Sequence, residues 1–422
     1  MQYRHAARVA VITLALAAFA GCSQPANDMA KSGPVWVGTW GASPMAPGGF
    51  GPANAQGNMI ENATVRQIVH VSAGGDKVRI VVSNSFGQGD LKIGAAHIAE
   101  AGDGAAIKDG TDHILTFGGK PGLMIPAGAV ALSDPVPMEV APLSNLTVSL
   151  YFPEATGPAT NHQLAVQTGY VSMTGDHTAD ANFPTNHEVM SRLFLSGVEV
   201  EAPAGTKTII AYGDSITDGA ASTPNTNHRW PDYLAARLAK QEGQPAAAVI
   251  DEGISGNRVL HDVAGPNAQA RYERDVLSWP HGSYIIVLEG INDIGFSALK
   301  GNNLFKNSTV DLTAVSADDL IAGYRQLIAR AHARGLKIYG ATLTPWKGAT
   351  YYYEDGEKVR EAVNQWIRTS GEYDGVVDFD AAVRDPNDPT KYKADLQSGD
   401  WLHPNDKGYE AMANAIDLAL FK

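Results

Sequence analysis

The sequence predicts two folds in succession: an all-β sandwich, then an α/β unit built on a parallel sheet. Three observations carry that expectation. From Val35 to about Ala202, short alternating apolar runs are separated by Gly, Pro, Asn and Asp clusters, and no run of ten or more residues has helical spacing. After Pro203, short continuous apolar segments alternate with amphipathic stretches, the pattern of βαβ units whose sheet is covered on both faces. Over all 422 residues, 44% hydrophobic and 18% charged is an ordinary globular balance that excludes wholesale disorder.

The first 22 residues stand apart. Arg4 and Arg8 precede an uncharged, mostly apolar run, Val9 to Gly21, that is too short to span a bilayer as a helix. Ala20-Gly21-Cys22 resembles a bacterial lipoprotein signal, in which Cys22 becomes the acylated first residue. Phe19 stands where Leu is usual, and Ala18-Phe19-Ala20 also satisfies the small-x-small rule of ordinary signal cleavage. The expected organisation is a signal over 1–22, a polar tether over 23–34, a β-sandwich over 35–202 and the α/β domain over 203–422. The expected location is outside the cytoplasm, as an outer-membrane or cell-surface lipoprotein, with a periplasmic or secreted protein as the alternative. Cys22 is the sole cysteine, which excludes an intramolecular disulfide and a Cys-based zinc site. A formal charge of −13 without a basic cluster argues against nucleic acid or an anionic membrane surface as partner. Membrane contact is expected only through lipid at Cys22.

Within 35–202, Thr64–Ser72 and Lys77–Phe86 are β-rich runs flanking Ala73-Gly74-Gly75-Asp76, a hairpin signal. Leu91–Ala99, Leu146–Phe152, His162–Ser172 and Leu193–Val200 are further strands. Roughly eight such strands suggest a sandwich of jelly-roll type. Beyond the boundary near Glu201–Thr206, the strands are Lys207–Tyr212, Ala247–Ile250, Tyr284–Leu288, Ile338–Thr342 and Val376–Phe379. Leu320, Ile321, Tyr324, Leu327, Ile328 and Ala331 form one apolar stripe, with Ser316 ahead of it as an N-cap and Gly335 behind it as a stop. Lys358–Ile367 and Tyr409–Leu420 are two more helices.

Reactive groups in doubly wound sheets collect at the carboxyl ends of the strands. The first strand is followed by Gly213-Asp214-Ser215-Ile216-Thr217, the second by Gly253-Ile254-Ser255-Gly256-Asn257 and the third by Gly290-Ile291-Asn292-Asp293. Asp400-Trp401-Leu402-His403-Pro404 lies near the C-terminus. A serine hydroxyl needs a base to become a nucleophile, and an imidazole suits that task near neutral pH. Asp400 and His403 are close enough in sequence for the carboxylate to reach the ring. The GxSxG elbow of α/β-hydrolases is absent, because Thr217 stands two after Ser215.

These four segments, in this order, resemble the SGNH (GDSL-like) hydrolase family over about Lys207 to Lys422. Ile216 replaces the Leu of GDSL. The resemblance implies a flavodoxin-like domain with Ser215 as nucleophile, His403 as its base and Asp400 as the group that holds His403. It further implies an oxyanion hole made by the Ser215 N–H, the Gly256 N–H and the Asn292 side-chain amide. No HExxH, phosphate loop or dinucleotide fingerprint is present, so the expected enzyme uses no cofactor and no metal.

An exported SGNH enzyme behind a β-sandwich resembles bacterial carbohydrate esterases, so an acetylated polysaccharide or an acylated small molecule is the expected substrate. A lipase, lysophospholipase, aryl esterase or acyltransferase would share the site, and an inactive glycan-binding lipoprotein is the non-enzymatic alternative. Glu289 reads as a buried support, Asp214 and Asp293 as loop braces, and Arg229 and Trp230 as cleft-lining or packing residues. Trp36, Trp40 and Trp346 are sugar-stacking or core candidates.

Overall fold

The computed structural model describes residues 33–48, 58–241, 246–300 and 311–422; the signal, Cys22 and the tether up to Ser32 lie outside the described residues. The N-terminal half runs β1 (Val35–Gly41), β2 (Ala63–His70), β3 (Gly75–Ser83), β4 (Leu91–Ile93), β5 (Ala95–Glu100), β6 (His113–Leu115), β7 (Leu123–Ile125) and β8 (Val130–Leu132). It continues with β9 (Val136–Val140), β10 (Asn145–Phe152), β11 (Asn161–His162), β12 (Gly169–Thr174), β13 (Thr185–Val189), β14 (Arg192–Leu193) and β15 (Leu195–Ala202). One antiparallel sheet has the order β1-β15-β3-β8, with β9 also on β3; the other has the order β13-β12-β2-β10-β5-β6. Val37, Val78, Ile80 and Val198 from the first meet Val65, Val69, Val148 and Leu150 from the second in one buried cluster. That is a sandwich core.

The expected hairpin does not form. β2 pairs with β10 and β12, and β3 pairs with β15, β8 and β9, so residues 71–74 carry the chain from one sheet to the other. Both runs offer apolar residues to the same core from opposite sides, and alternation alone does not say which sheet a strand joins. Three expected strands are also interrupted. Leu91–Ala99 breaks at Gly94, His162–Ser172 keeps only its two ends, and the Leu193–Val200 run breaks at Phe194, whose φ is 63°. Among the strands not expected, 113–115, 123–125 and 130–132 are three residues each, too short for a period to show, whereas Val35–Gly41, Val136–Val140 and Thr185–Val189 are longer and were missed as well.

The second half begins with β16 (Lys207–Gly213), α1 (Ser215–Asp218), α2 (Trp230–Leu238), β17 (Ala247–Gly253), α3 (Ala268–Tyr272), β18 (Gly282–Leu288) and α4 (Ile291–Gly295). After these come α5 (Ala317–Ala333), β19 (Lys337–Ala341), α6 (Glu354–Thr369), β20 (Gly375–Val377), α7 (Phe379–Val383) and α8 (Asp406–Asn414). The sheet is parallel throughout, with the order β17-β16-β18-β19-β20. Numbered within the domain that is 2-1-3-4-5, the flavodoxin-like order, and it places the ends of β16, β17 and β18 side by side. α5 starts with a capping box in which Ser316 and Asp319 satisfy each other's backbone N–H. α8 is shorter than the expected Tyr409–Leu420 helix. Arg237 donates to the Ala413 and Ile416 carbonyls where it ends, and Asp417 caps a new 3₁₀ turn, Leu418–Phe421.

β17 is an edge strand of the parallel sheet, and the sandwich covers it. Val249 N–H donates to Ser72 Oγ at 2.9 Å, and Ala248 belongs to the sandwich core cluster. Beside it, the Trp279 indole lies on a shelf of Gly38, Gly41 and Gly197, where any Cβ would collide with the ring. Its Nε1–H donates to Glu252 Oε1 at 3.0 Å.

Candidate active site

β16 delivers Ser215. Immediately after the strand, the Asp214 carboxylate accepts the Ile216 N–H at 3.0 Å and caps the single turn α1. Because Asp214 does the capping, the Ser215 hydroxyl is left to turn outward. Its Oγ lies 2.8 Å from His403 Nε2. His403 sits in an irregular loop ahead of α8, where Asp400 folds back on its own chain. Asp400 Oδ1 accepts the N–H groups of Leu402 and His403, each at 2.9 Å, and Oδ2 meets His403 Nδ1 at 2.6 Å. The carboxylate thus accepts a hydrogen bond from the Nδ1–H and leaves Nε2 as the acceptor for the serine hydroxyl. Burial works to raise the Asp400 pKa, yet the hydrogen bonds from the His403 ring and backbone outweigh it and hold the carboxyl well below the usual range.

Two backbone donors stand nearby without protein partners. Among the described residues, neither the Ser215 N–H nor the Gly256 N–H makes a hydrogen bond. Gly256 has φ of 79°, a left-handed conformation that a side chain would strain. Asn292, at the start of α4, is gripped from both ends of its amide. Tyr351 Oη donates to its Oδ1 at 3.0 Å, and its Nδ2 donates to the Asn257 carbonyl at 3.0 Å, which leaves one amide N–H.

Beneath these loops lies Arg271, fully buried, a residue that nothing in the sequence pattern singled out. It donates to the Gly213 carbonyl at 2.9 Å, just before Asp214-Ser215, and to Asn257 Oδ1 at 2.8 Å, just after Gly256. It also reaches Ser43 Oγ at 3.0 Å and faces Asp275 and Glu289 at 3.3 and 3.5 Å. One cation therefore ties the loops after β16 and β17 to the sandwich half. Burial, with Asp214 close by, pushes the Glu289 carboxyl well up; burial also raises Asp214 itself. Asp293 braces the next loop by accepting the Val259 and Leu260 N–H groups at 2.7 and 3.0 Å.

Arg229 and Trp230 take the packing option. Trp230 is fully buried against Phe379, and Arg229 pairs with Asp232 and Asp251. Trp346 and Trp40 are core residues, and Trp36 is covered by the Arg79 guanidinium. A cleft of about 330 Å³ opens between the two halves, lined by Pro44, Val130, Leu132 and Trp279, and none of Ser215, Asp400 and His403 borders it. No group of three or more His, Cys, Asp or Glu among the described residues is arranged to hold a metal, and none of their helices is long and apolar enough to cross a membrane.

Residues 211–411, which hold all four motif segments, match the GDSL-like lipase/acylhydrolase family. The C-terminal half is a GDSL-like acylhydrolase domain. Its reaction class is carboxylic ester hydrolysis. Solved structures to which the chain is similar include a GDSL-like lipase from Bacteroides thetaiotaomicron, 17% identical over 51% of this chain and 88% of that one, with a TM-score of 0.37. Another is an acetylxylan esterase from Geobacillus stearothermophilus, solved as a catalytic mutant, 21% identical over 50% of this chain and 91% of that one, also with a TM-score of 0.37. No curated protein matches the chain. For this acylhydrolase, Tyr351 and Arg271 are the supporting residues that motif reading missed.

Proposed function

We propose that the protein is an exported serine esterase that works through an acyl-Ser215 intermediate and removes short acyl groups, acetyl first, from carbohydrate. The observation that carries the mechanism is the relay from Ser215 Oγ through His403 to Asp400, at 2.8 and 2.6 Å. His403 Nε2 takes the hydroxyl proton as Ser215 attacks the ester carbonyl, and Asp400 steadies the imidazolium that forms. The Ser215 and Gly256 N–H groups and the free Asn292 amide N–H receive the oxyanion. Collapse of the tetrahedral intermediate expels the alcohol, which takes its proton from His403. Water activated by the same imidazole then cleaves the acyl-enzyme.

The carbohydrate assignment rests on the pairing of this domain with a β-sandwich, and export rests on residues 1–22, with Cys22 as the lipid anchor. Turnover of p-nitrophenyl acetate against p-nitrophenyl octanoate tests the acyl preference. Acetate is expected to be much faster, and faster octanoate turnover would place the protein among lipases. In the native host, Cys22→Ser is expected to release the protein from the membrane fraction; a mature N-terminus at Gly21 would instead mean free secretion.

A further inference from the structure

His162 belongs to the sandwich half, yet its ring is buried against the catalytic turn. Its Nε2 lies 2.9 Å from Asp218 Oδ1 and 3.2 Å from the Leu164 carbonyl, and its Nδ1 lies 3.0 Å from the Ser43 carbonyl. A neutral imidazole has one N–H and one bare nitrogen. Here each nitrogen faces a carbonyl oxygen, so a bare nitrogen on either side would meet an acceptor lone pair. Satisfying both contacts needs two N–H groups, which is the imidazolium. Asp218 completes the ion pair. Its other oxygen accepts the Ser255 N–H at 2.8 Å and the Ser255 hydroxyl at 2.6 Å. Ser255 is the residue before Gly256, and Asp218 stands three after Ser215 on α1.

We propose that His162, held as an imidazolium, is a positioning residue for acyl transfer: through Asp218 it fixes the Ser255–Gly256 backbone, and with it the Gly256 N–H aimed at the oxyanion. The inference rests on the reading of Gly256 as an oxyanion donor. It gives the sandwich a part in the chemistry, since the His162 ring is the cation in direct contact with Asp218. The charged groups around the ring are Asp218 on α1, Asp251 on β17, Arg192 on β14 and Arg229 ahead of α2. Burial opposes charge on His162, but Asp218, with Asp251 behind it, outweighs burial and the net shift is upward. That direction agrees with the two N–H groups the contacts require, and the ion pair is lost as pH rises through the raised pKa.

The test uses the full-length protein. Nitrogen NMR of ¹⁵N-histidine-labelled wild type is expected to show both His162 ring nitrogens protonated at pH 7; a neutral ring would overturn the proposal without any variant. His162→Gln is expected to lower kcat on p-nitrophenyl acetate about 10- to 100-fold with KM nearly unchanged, because small displacements of a donor are costly. Affinity for an alkyl boronic acid, which forms a tetrahedral adduct on serine, is expected to fall by the same factor. Adding Asp218→Asn to His162→Gln is expected to cost little more, as for two members of one chain of contacts. A lowered Tm with kcat and boronate affinity unchanged would reduce His162 to a structural role and overturn the proposal. If wild type binds no boronate and Ser215→Ala keeps its turnover, the acyl-Ser215 reading itself fails, whatever His162→Gln does.

Discussion

Ser215 and His403 meet because two short-range devices aim them. Asp214 occupies the cap that the serine would otherwise fill, and Asp400 uses one oxygen to fold its own loop and the other to hold the ring. A neutral asparagine at 400 would keep much of the loop but would let the imidazole adopt the wrong tautomer. Asp400→Asn is thus expected to lower kcat by a factor on the order of 10⁴ with a normal far-UV spectrum. A loss under tenfold, measured with p-nitrophenyl acetate, would mean that His403 is held by something else. At this scale the positions of the motif segments were legible, since Ser215, Gly256 and Asn292 follow predicted strands and Asp400 and His403 precede a predicted helix. What the sequence could not show was the support from residues outside the motif segments. Tyr351, Arg271 and His162 lie 59, 14 and 56 residues from the Asn292, Asn257 and Asp218 that they hold. No spacing rule links residues brought together only by the fold.

Among elements, the ends of β16 and β17 are joined from below by Arg271. The cation also faces Asp275 and Glu289 in the dry interior, with its guanidinium over the Tyr212 ring at 4.1 Å. Replacing it with methionine would fill similar space and strand those carboxyls. Breaking a buried pair from one side typically costs about 3–5 kcal/mol. Arg271→Met is expected to shift the denaturant midpoint by that order and to lower kcat together with stability; a stability change below about 1 kcal/mol would show the pairs to be inconsequential. Element type was readable where runs were long or strongly periodic, as in α5 and the five parallel strands. Pairing was not, because β2 and β3 carry the same alternation whether they join each other or face each other across a core. The breaks at Gly94 and Phe194 arise from backbone geometry that hydrophobic pattern does not encode.

In the whole molecule, the sandwich covers the β17 edge, seats Trp279 and sends Ser43 and His162 into the polar layer under the site. A chain starting near Ala202 would expose that edge and leave Glu252 and Arg271 short of partners. It is expected to aggregate and to lose activity even on a small soluble ester; a monomeric, fully active product would instead make the sandwich a separable binding module. Stability should also respond to pH with a definite sign. Burial raises Asp251 to about 7 and Asp293 to about 6, and raises Asp214, Glu252 and Glu289 as well. His162 is raised too. Each of these groups binds its proton more tightly in the folded chain, so folding loses stability as pH climbs from the unfolded pKa toward the folded one. Asp400, depressed, acts in the opposite sense, but only at acid pH below its unfolded value. Tm is accordingly expected to fall steadily between about pH 5 and pH 8; a rise over that range would contradict the charge states assigned to the interior.

The central claim, that Ser215 carries the acyl group, is tested most directly by mass spectrometry of protein quenched in acid during turnover of p-nitrophenyl acetate. A single acetyl adduct is expected on the peptide holding Ser215, accumulating in Asp400→Asn only if deacylation is the slower step and absent from Ser215→Ala, which should have no turnover. Acetyl on another residue, or substantial hydrolysis by Ser215→Ala, would contradict the account.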